Sequence, residues 1–212
     1  MKHLITLMSM CLCLFSACDY FLPDDTSTDQ GIMLTNESGL SGTYIVTGPH
    51  SFWDKTTKWL SFPPQGEYKV FFTNLPVDGN ICSVVDNTPV FIGEASFDIA
   101  PPYKRQSISV PIREITCRLS FKQESGTRIS KILVSGIPST IYIDGEFGKP
   151  TSLQLSGADS YVIAPSMEVS VCTINGSEEA QDMNVLKTRI NAEPGYRYTI
   201  NVGRENISVS SN

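Results

Sequence analysis

Residues 113–122 read Arg-Glu-Ile-Thr-Cys-Arg-Leu-Ser-Phe-Lys, and apolar and polar side chains alternate along them. The apolar positions are Ile115, Cys117, Leu119 and Phe121, and the polar positions are Thr116, Arg118, Ser120 and Lys122. Because successive side chains of a strand point to opposite faces, this alternation predicts a strand with one buried face and one face in water. The segment therefore favours an antiparallel sheet that covers a core on one side only.

Short strand-like segments separated by turn residues fill most of the remaining chain. Residues 67–75 lie between Pro63-Pro64-Gln65-Gly66 and Pro76-Val77-Asp78-Gly79-Asn80, as expected of a strand between two turns. Turn-forming residues recur about every 8 to 12 residues, which is the spacing of β-sandwiches. No stretch of 11 residues has a clear helical period, and 177–187 comes nearest to one, so the sequence predicts an all-β protein. Further predicted strands are 43–47, 81–85, 90–98, 106–112, 129–136, 140–144, 151–155, 160–163, 167–174, 185–191 and 196–202.

A break near residue 112 divides these strands into two groups. Ala100-Pro101-Pro102-Tyr103 interrupts the pattern, a strand follows at 106–112, and the alternating strand begins directly after it. Each group holds enough short strands for a sandwich of about 80 to 100 residues. We therefore predict two small β-sandwich domains, residues 31–112 and 113–212. A weak echo between residues 68–76 and 130–138 is consistent with a duplication or with a generic strand-and-turn pattern.

The N-terminus carries the pattern of a lipoprotein signal peptide, residues 1–17. Lys2 is followed by an apolar stretch from Leu4 to Phe15, and the small residues Ser16 and Ala17 precede Cys18. This stretch is shorter than the roughly 20 residues that span a bilayer, so a cleaved signal is expected. Phe-Ser-Ala-Cys resembles a bacterial lipobox, which predicts lipidation of Cys18. An ordinary signal peptide with an incidental cysteine is the alternative.

The segment that follows, residues 18–30, is polar and contains four Asp residues and no Lys or Arg. It lacks the apolar surface needed to fold alone, so we expect a flexible tether. The tether also resembles the acidic export tag of surface-exposed lipoproteins in Bacteroidetes-type bacteria. Two or more acyl chains on Cys18 would hold the protein stably at a membrane, because a single chain gives only marginal binding.

The composition excludes several functions. Cleavage after residue 17 removes Lys2 and leaves 15 Lys and Arg against 22 Asp and Glu, a formal charge of −7, so no nucleic-acid partner is expected. The single remaining histidine, His50, argues against a zinc cluster and against a nucleophile with its base. We expect no cofactor, no metal and no enzymatic activity. At most one disulfide can form among the three remaining cysteines, which are Cys82, Cys117 and Cys172.

Three local constellations allow a functional and a structural interpretation. Trp53 and Trp59, with His50 and Phe62 nearby, could form an aromatic platform for sugar rings, although two such tryptophans more often fill or cover the core of a sandwich. Asp144-Gly145-Glu146 could offer oxygens to calcium, but a hairpin turn is the favoured interpretation. A solvated loop is likewise favoured over paired catalytic carboxylates for Glu178, Glu179 and Asp182.

Several segments together resemble a known family. The lipobox Cys18, the segment 66–70 (Gly-Glu-Tyr-Lys-Val), the segment 110–121 (Val-Pro-Ile-Arg-Glu-Ile-Thr-Cys-Arg-Leu-Ser-Phe) and the segment 129–138 (Ile-Ser-Lys-Ile-Leu-Val-Ser-Gly-Ile-Pro) are similar to the fimbrillin-associated anchor lipoproteins of Bacteroidetes-type fimbriae. The resemblance implies two transthyretin-like β-sandwiches. It also implies a location in the outer membrane, exposed at the cell surface, and fimbrial shaft subunits as partners.

The distribution of arginine favours the anchor role within that family. The resemblance implies that shaft and tip subunits are cut after an Arg near the first strand, and no Arg lies between Cys18 and Lys104. The expected mechanism is β-strand addition, in which backbone hydrogen bonds give affinity and alternate side chains fill pockets. The alternative function is a glycan-binding surface lipoprotein that uses Trp53 and Trp59.

Overall fold

A computed structural model of the chain describes residues 31–61, 64–84, 88–101, 105–164, 166–175 and 182–212. These residues belong to one compact unit, Gly31–Asn212. The signal peptide, Cys18 and the tether lie outside the described residues, as do Phe62, Glu178, Glu179 and the side chain of Asp182.

Nearly all regular structure in the described residues is β-strand, so the predicted all-β class is confirmed. One 3-10 turn, Pro49–Ser51, is the exception within that part of the chain. The strands are β1 (Ile32–Thr35), β2 (Thr43–Thr47), β3 (Trp53–Thr56), β4 (Trp59–Leu60), β5 (Gly66–Thr73), β6 (Val77–Asp78), β7 (Ile81–Ser83), β8 (Phe91–Ile99), β9 (Gln106–Ser109), β10 (Ile112–Glu114), β11 (Thr116–Gln123), β12 (Thr127–Pro138), β13 (Thr140–Tyr142), β14 (Pro150–Leu155), β15 (Asp159–Ile163), β16 (Ser166–Asn175), β17 (Asp182–Asn191), β18 (Arg197–Val202) and β19 (Ile207–Ser211).

Two sheets in the first half of the chain share one core. Sheet A has the order β4-β1-β9, and sheet B has the order β10-β8-β5-β2-β3. The buried side chains between them come from both sheets, and the Tyr68 ring stacks on Phe97 with the centroids 5.5 Å apart. Alternation explains this core, because each strand turns its apolar positions toward the facing sheet.

Two further sheets in the second half share another core. Sheet D has the order β15-β11-β18-β19, and sheet E has the order β14-β12-β16-β17. The predicted apolar face of residues 113–122 is confirmed: Cys117, Leu119 and Phe121 are buried in this core. Ile115 is also buried, but it contributes to a different cluster.

The two halves repeat the same strand topology. The central strand β1 of sheet A has an antiparallel neighbour, β4, and a parallel neighbour, β9; β11 of sheet D has β15 and β18 in the same places. The order β8-β5-β2-β3 in sheet B corresponds to β17-β16-β12-β14 in sheet E. The echo between residues 68–76 and 130–138 does not follow this repeat, because β5 corresponds to β16 and not to β12.

A small fifth sheet joins the halves. Sheet C has the order β13-β7-β6, and β13 of the second half pairs with β7 of the first. A separate apolar cluster lies behind it, with Ile45, Phe71 and Cys82 from the first half and Ile115, Ile141 and Ile163 from the second.

Thr116 departs from the sequence prediction. Its alternation with Ile115 and Cys117 placed it on the water-facing side, but the side chain is fully buried. Its hydroxyl donates to the Glu114 carboxylate at 2.8 Å and accepts the Val90 N–H at 3.1 Å. The prediction is wrong here because the other half of the chain covers this end of β11.

Candidate functional site

The strand β17 forms an open edge of sheet E. It pairs with β16 over its whole length, from Asp182 opposite Asn175 to Asn191 opposite Ser166. Within the described residues, no strand pairs with its other side. The backbone groups on that side are therefore available to an added strand.

The topological repeat shows what is missing at this edge. In the first half, β10 covers the corresponding edge, where Ile112 pairs with Gly93 and Glu114 pairs with Phe91 at the start of β8. The start of β17 occupies the equivalent position in the second half. There β19, the strand that follows β18, pairs with β18; it lies next to β17 but forms no strand pairing with it, so the start of β17 keeps an unpaired edge.

Exposed apolar side chains mark the same end of β17. Met183 is 72% exposed and Val185 is 60% exposed. They lie opposite Ile174 and Cys172 of β16, so the four side chains share the outer face of sheet E. Large apolar groups at an unpaired edge are unusual, because edge strands are normally protected by charge or by irregular geometry.

Basic residues surround this apolar area. Lys187 and Arg189 continue the same face of β17, and Lys131 of β12 lies opposite Cys172. The Lys187 ammonium is 3.3 Å from the Glu168 carboxylate, in an exposed pair that contributes little to stability. The outer face of sheet E therefore combines an apolar centre with positive charge, although the chain as a whole is acidic.

A second interruption in sheet E is partly occupied by a side chain. β14 pairs with β12 only from Ile132 onward, so the segment 127–131 has no neighbour on that side among the described strands. A cleft of about 460 Å³ lies there, with Phe121 and Leu155 among its lining residues. The Gln123 side chain accepts the Ile129 N–H at 3.3 Å, so one of the backbone groups an added strand would use is occupied.

The two tryptophans lie on different sheets. Trp53 belongs to β3 of sheet B and is 45% exposed, whereas Trp59 belongs to β4 of sheet A and is 37% exposed. Neither fills the core, so that part of the favoured interpretation is wrong. The Arg105 guanidinium lies 5.0 Å from the centroid of the Trp59 ring and covers one of its faces. His50, grouped with the tryptophans by sequence, is exposed and has a positive φ of 56°.

Asp144-Gly145-Glu146 forms the predicted turn. The Gly145 N–H donates to the Tyr142 carbonyl at 2.9 Å, and the Asp144 carboxylate accepts the Glu146 N–H at 3.0 Å. Gly145 has a φ of 82°, which favours glycine. Within the described ranges, no group of three or more His, Cys, Asp or Glu side chains could hold a metal ion.

The three cysteines are unpaired thiols in different surroundings. Burial raises the pKa of Cys82 to about 11 and that of Cys117 to about 12. Cys172 is only half-buried and lies beside the exposed apolar residues of β17. It is therefore the thiol of the described fold that a reagent reaches first.

The fold is that of a class of adhesion and fimbrial proteins from Bacteroidetes bacteria. One solved structure with this fold is a candidate cell adhesion protein from Bacteroides uniformis, which has 12% identity and a TM-score of 0.51; the match covers 90% of this chain and 98% of that one. Another is a fimbrial assembly protein from Parabacteroides distasonis, which has 13% identity and a TM-score of 0.52. The match covers 88% of this chain and 99% of that one. The fimbrial anchor protein Mfa2 from Porphyromonas gingivalis matches with 10% identity and a TM-score of 0.45, and the match covers 81% of this chain and 90% of that one.

The first two likenesses confirm, at the level of the fold, the resemblance that the sequence predicted. The sequence itself matches no protein-family model and no curated protein. The described residues also contain no helix that is long and apolar enough to cross a membrane.

Proposed function

We propose that this protein is a surface lipoprotein that serves as an anchor or assembly component of a fimbria. In this proposal Cys18 carries the lipid, residues 18–30 form the tether, and residues 31–112 and 113–212 form two transthyretin-like β-sandwiches, except that Arg113 and Glu114 belong to β10 of the first. The protein binds a fimbrial shaft subunit by strand addition and catalyses no reaction. The repeated strand topology and the separate core of each half support the division into two domains.

The open start of β17 is the observation that carries the proposal. The first half fills the equivalent place with β10, so the sandwich can accept an antiparallel strand there. Met183 and Val185 beside the gap would be covered by apolar side chains of the incoming segment. Lys187 and Arg189 farther along β17 favour a partner with acidic residues next to its apolar ones.

A charge-introducing variant tests this site. We expect the double variant Met183→Asp, Val185→Asp to lose about tenfold or more of its capture of shaft subunits, because the added carboxylates would lie beside the incoming strand. Both residues are exposed, so the thermal unfolding temperature should stay within a few degrees of the wild type. Co-purification of shaft subunits from the native host, quantified by mass spectrometry, measures the capture.

Tyr142→Asp is the matched control. Tyr142 is also an exposed large side chain on an edge strand, but it lies on β13 of sheet C. This variant should capture shaft subunits as the wild type does. Equal capture by the β17 double variant and the wild type would refute strand addition at this edge.

A further inference from the structure

A cleft of about 580 Å³ lies between sheet B and the segment that follows β13. Its floor is the outer face of sheet B, and Ile143 and Asp144 form the opposite wall. The wall lies close to the sheet at Gly145, where a Cβ atom would collide with the Glu94 carboxylate. The volume falls within the range of ligand sites, which is roughly 300 to 1,000 Å³.

The register of sheet B places Trp53 at the rim of this cleft. Trp53 lies opposite Thr47, Thr47 lies opposite Lys69, and Lys69 lies opposite Ser96. Directly opposite residues share one face of a sheet, with Cβ atoms about 5 Å apart. Thr47, Lys69 and Ser96 all line the cleft, so the exposed indole of Trp53 continues their row at its open end.

The neighbouring row supplies an apolar floor and a carboxylate. Ile45 lies opposite Phe71, and Phe71 lies opposite Glu94. Ile45 and Phe71 are buried, whereas Glu94 is exposed. The cleft therefore has an apolar base and polar sides.

The charged groups of the cleft are available to a ligand. Among the described residues, neither the Lys69 ammonium nor the Glu94 carboxylate forms a hydrogen bond or an ion pair with another side chain or with the backbone. Asp144 uses one carboxylate oxygen within its own turn. The hydroxyls of Thr47 and Ser96 add groups that can both donate and accept.

We propose that this cleft binds a neutral oligosaccharide. Sugar rings have an apolar face that packs on an indole and a rim of hydroxyls that pair with ammonium, carboxylate and hydroxyl groups. Among the lining residues, the carboxylates of Glu94 and Asp144 outnumber the one ammonium, that of Lys69, which disfavours a phosphate or another polyanion. Lys55, opposite Ile45 on the same face, already donates to the Val77 carbonyl. A purely apolar ligand would leave the charged groups unpaired. Trp59 takes no part, since it lies on sheet A beneath Arg105.

Tryptophan fluorescence gives a direct test, because the chain has only two tryptophans. In a full-length protein with Cys18→Ser and Trp59→Phe, the emission reports Trp53 alone. We would titrate this protein with cello-, manno-, xylo-, arabino- and N-acetylglucosamine oligosaccharides of four to six sugars. At least one should change the emission saturably below about 10 mM, and calorimetry on the protein that retains Trp59 should give the same affinity.

Variants locate the site and separate it from the strand edge. Trp53→Ala and Glu94→Gln should each weaken binding by about tenfold, whereas Trp59→Ala, the matched exposed tryptophan, should leave it unchanged. Trp53→Ala should also capture shaft subunits normally. The proposal is overturned if no oligosaccharide of the panel binds, if Trp59→Ala weakens binding as much as Trp53→Ala, or if the cleft binds a peptide of the shaft subunit instead.

Discussion

At the scale of single residues, burial determines how reactive each of the three thiols is. Cys82 and Cys117 are completely buried, and desolvation of their thiolates raises both pKa values, to about 11 and about 12. Cys172 lies half-buried on the outer face of sheet E, opposite Val185. Because the thiolate is the reactive form, these differences predict selective chemistry.

Iodoacetamide at pH 8 should alkylate Cys172 and spare the other two thiols in folded protein with Cys18→Ser. At this pH roughly one in a thousand Cys82 groups and one in ten thousand Cys117 groups would be ionised. Raising the pH toward the pKa values should increase the ionised fraction of both, although burial still limits access. Peptide mass spectrometry before and after denaturation measures the labelling, with Cys172→Ser as the control. Rapid labelling of Cys117 in folded protein would contradict its buried position.

At the scale of elements, one short strand connects the two halves. β13 belongs to the second half by sequence, yet it pairs with β7 of the first half, from Thr140 opposite Ser83 to Tyr142 opposite Ile81. Ile141 of β13 is fully buried in the cluster that both halves share. A single short strand thus covers apolar surface of both halves.

Ile141→Ala should destabilise the protein by about 2 to 5 kcal/mol, since it removes buried methyl groups and leaves a cavity. Urea unfolding of the two proteins measures the difference. Tyr142→Ala is the control on the same strand, because Tyr142 points outward and is exposed; it should cost far less. Equal effects of the two substitutions would show that β13 does not seal this cluster.

Attachment to the membrane concerns the whole molecule. The pattern Phe-Ser-Ala-Cys at residues 15–18 predicts a lipid on Cys18, and the charge-rich tether would hold the folded unit away from the bilayer. In the proposed anchor, the acyl chains on Cys18 hold the protein at the membrane.

Cys18→Ala should abolish metabolic labelling with a palmitate analogue and move the protein from the membrane fraction to the soluble fraction. Cys172→Ala, which removes a thiol of the folded unit, should remain labelled and membrane-bound. Immunoblots of the fractions, together with in-gel detection of the analogue, measure both effects. Continued labelling of the Cys18→Ala protein would refute lipidation at this position.

The sequence alone determined the all-β class and much of the core. The alternation along residues 113–122 correctly identified Cys117, Leu119 and Phe121 as buried, because a period of two fixes which side chains share a face. The same local pattern failed at Thr116. Its burial depends on residues from the other half, which no local pattern contains.

Only the tertiary structure decided which strand edge is open and which tryptophan adjoins a cleft. Along β17, the charged Lys187 and Arg189 mark the outward face, so alternation places Met183 and Val185 there, but it does not show that this edge of the sheet is unpaired. Strand order and register depend on backbone pairing between segments that are far apart in the chain. For the same reason Trp53 and Trp59, six positions apart in sequence, lie on different sheets. Side-chain periodicity is a local property, whereas edges and clefts arise from non-local pairing.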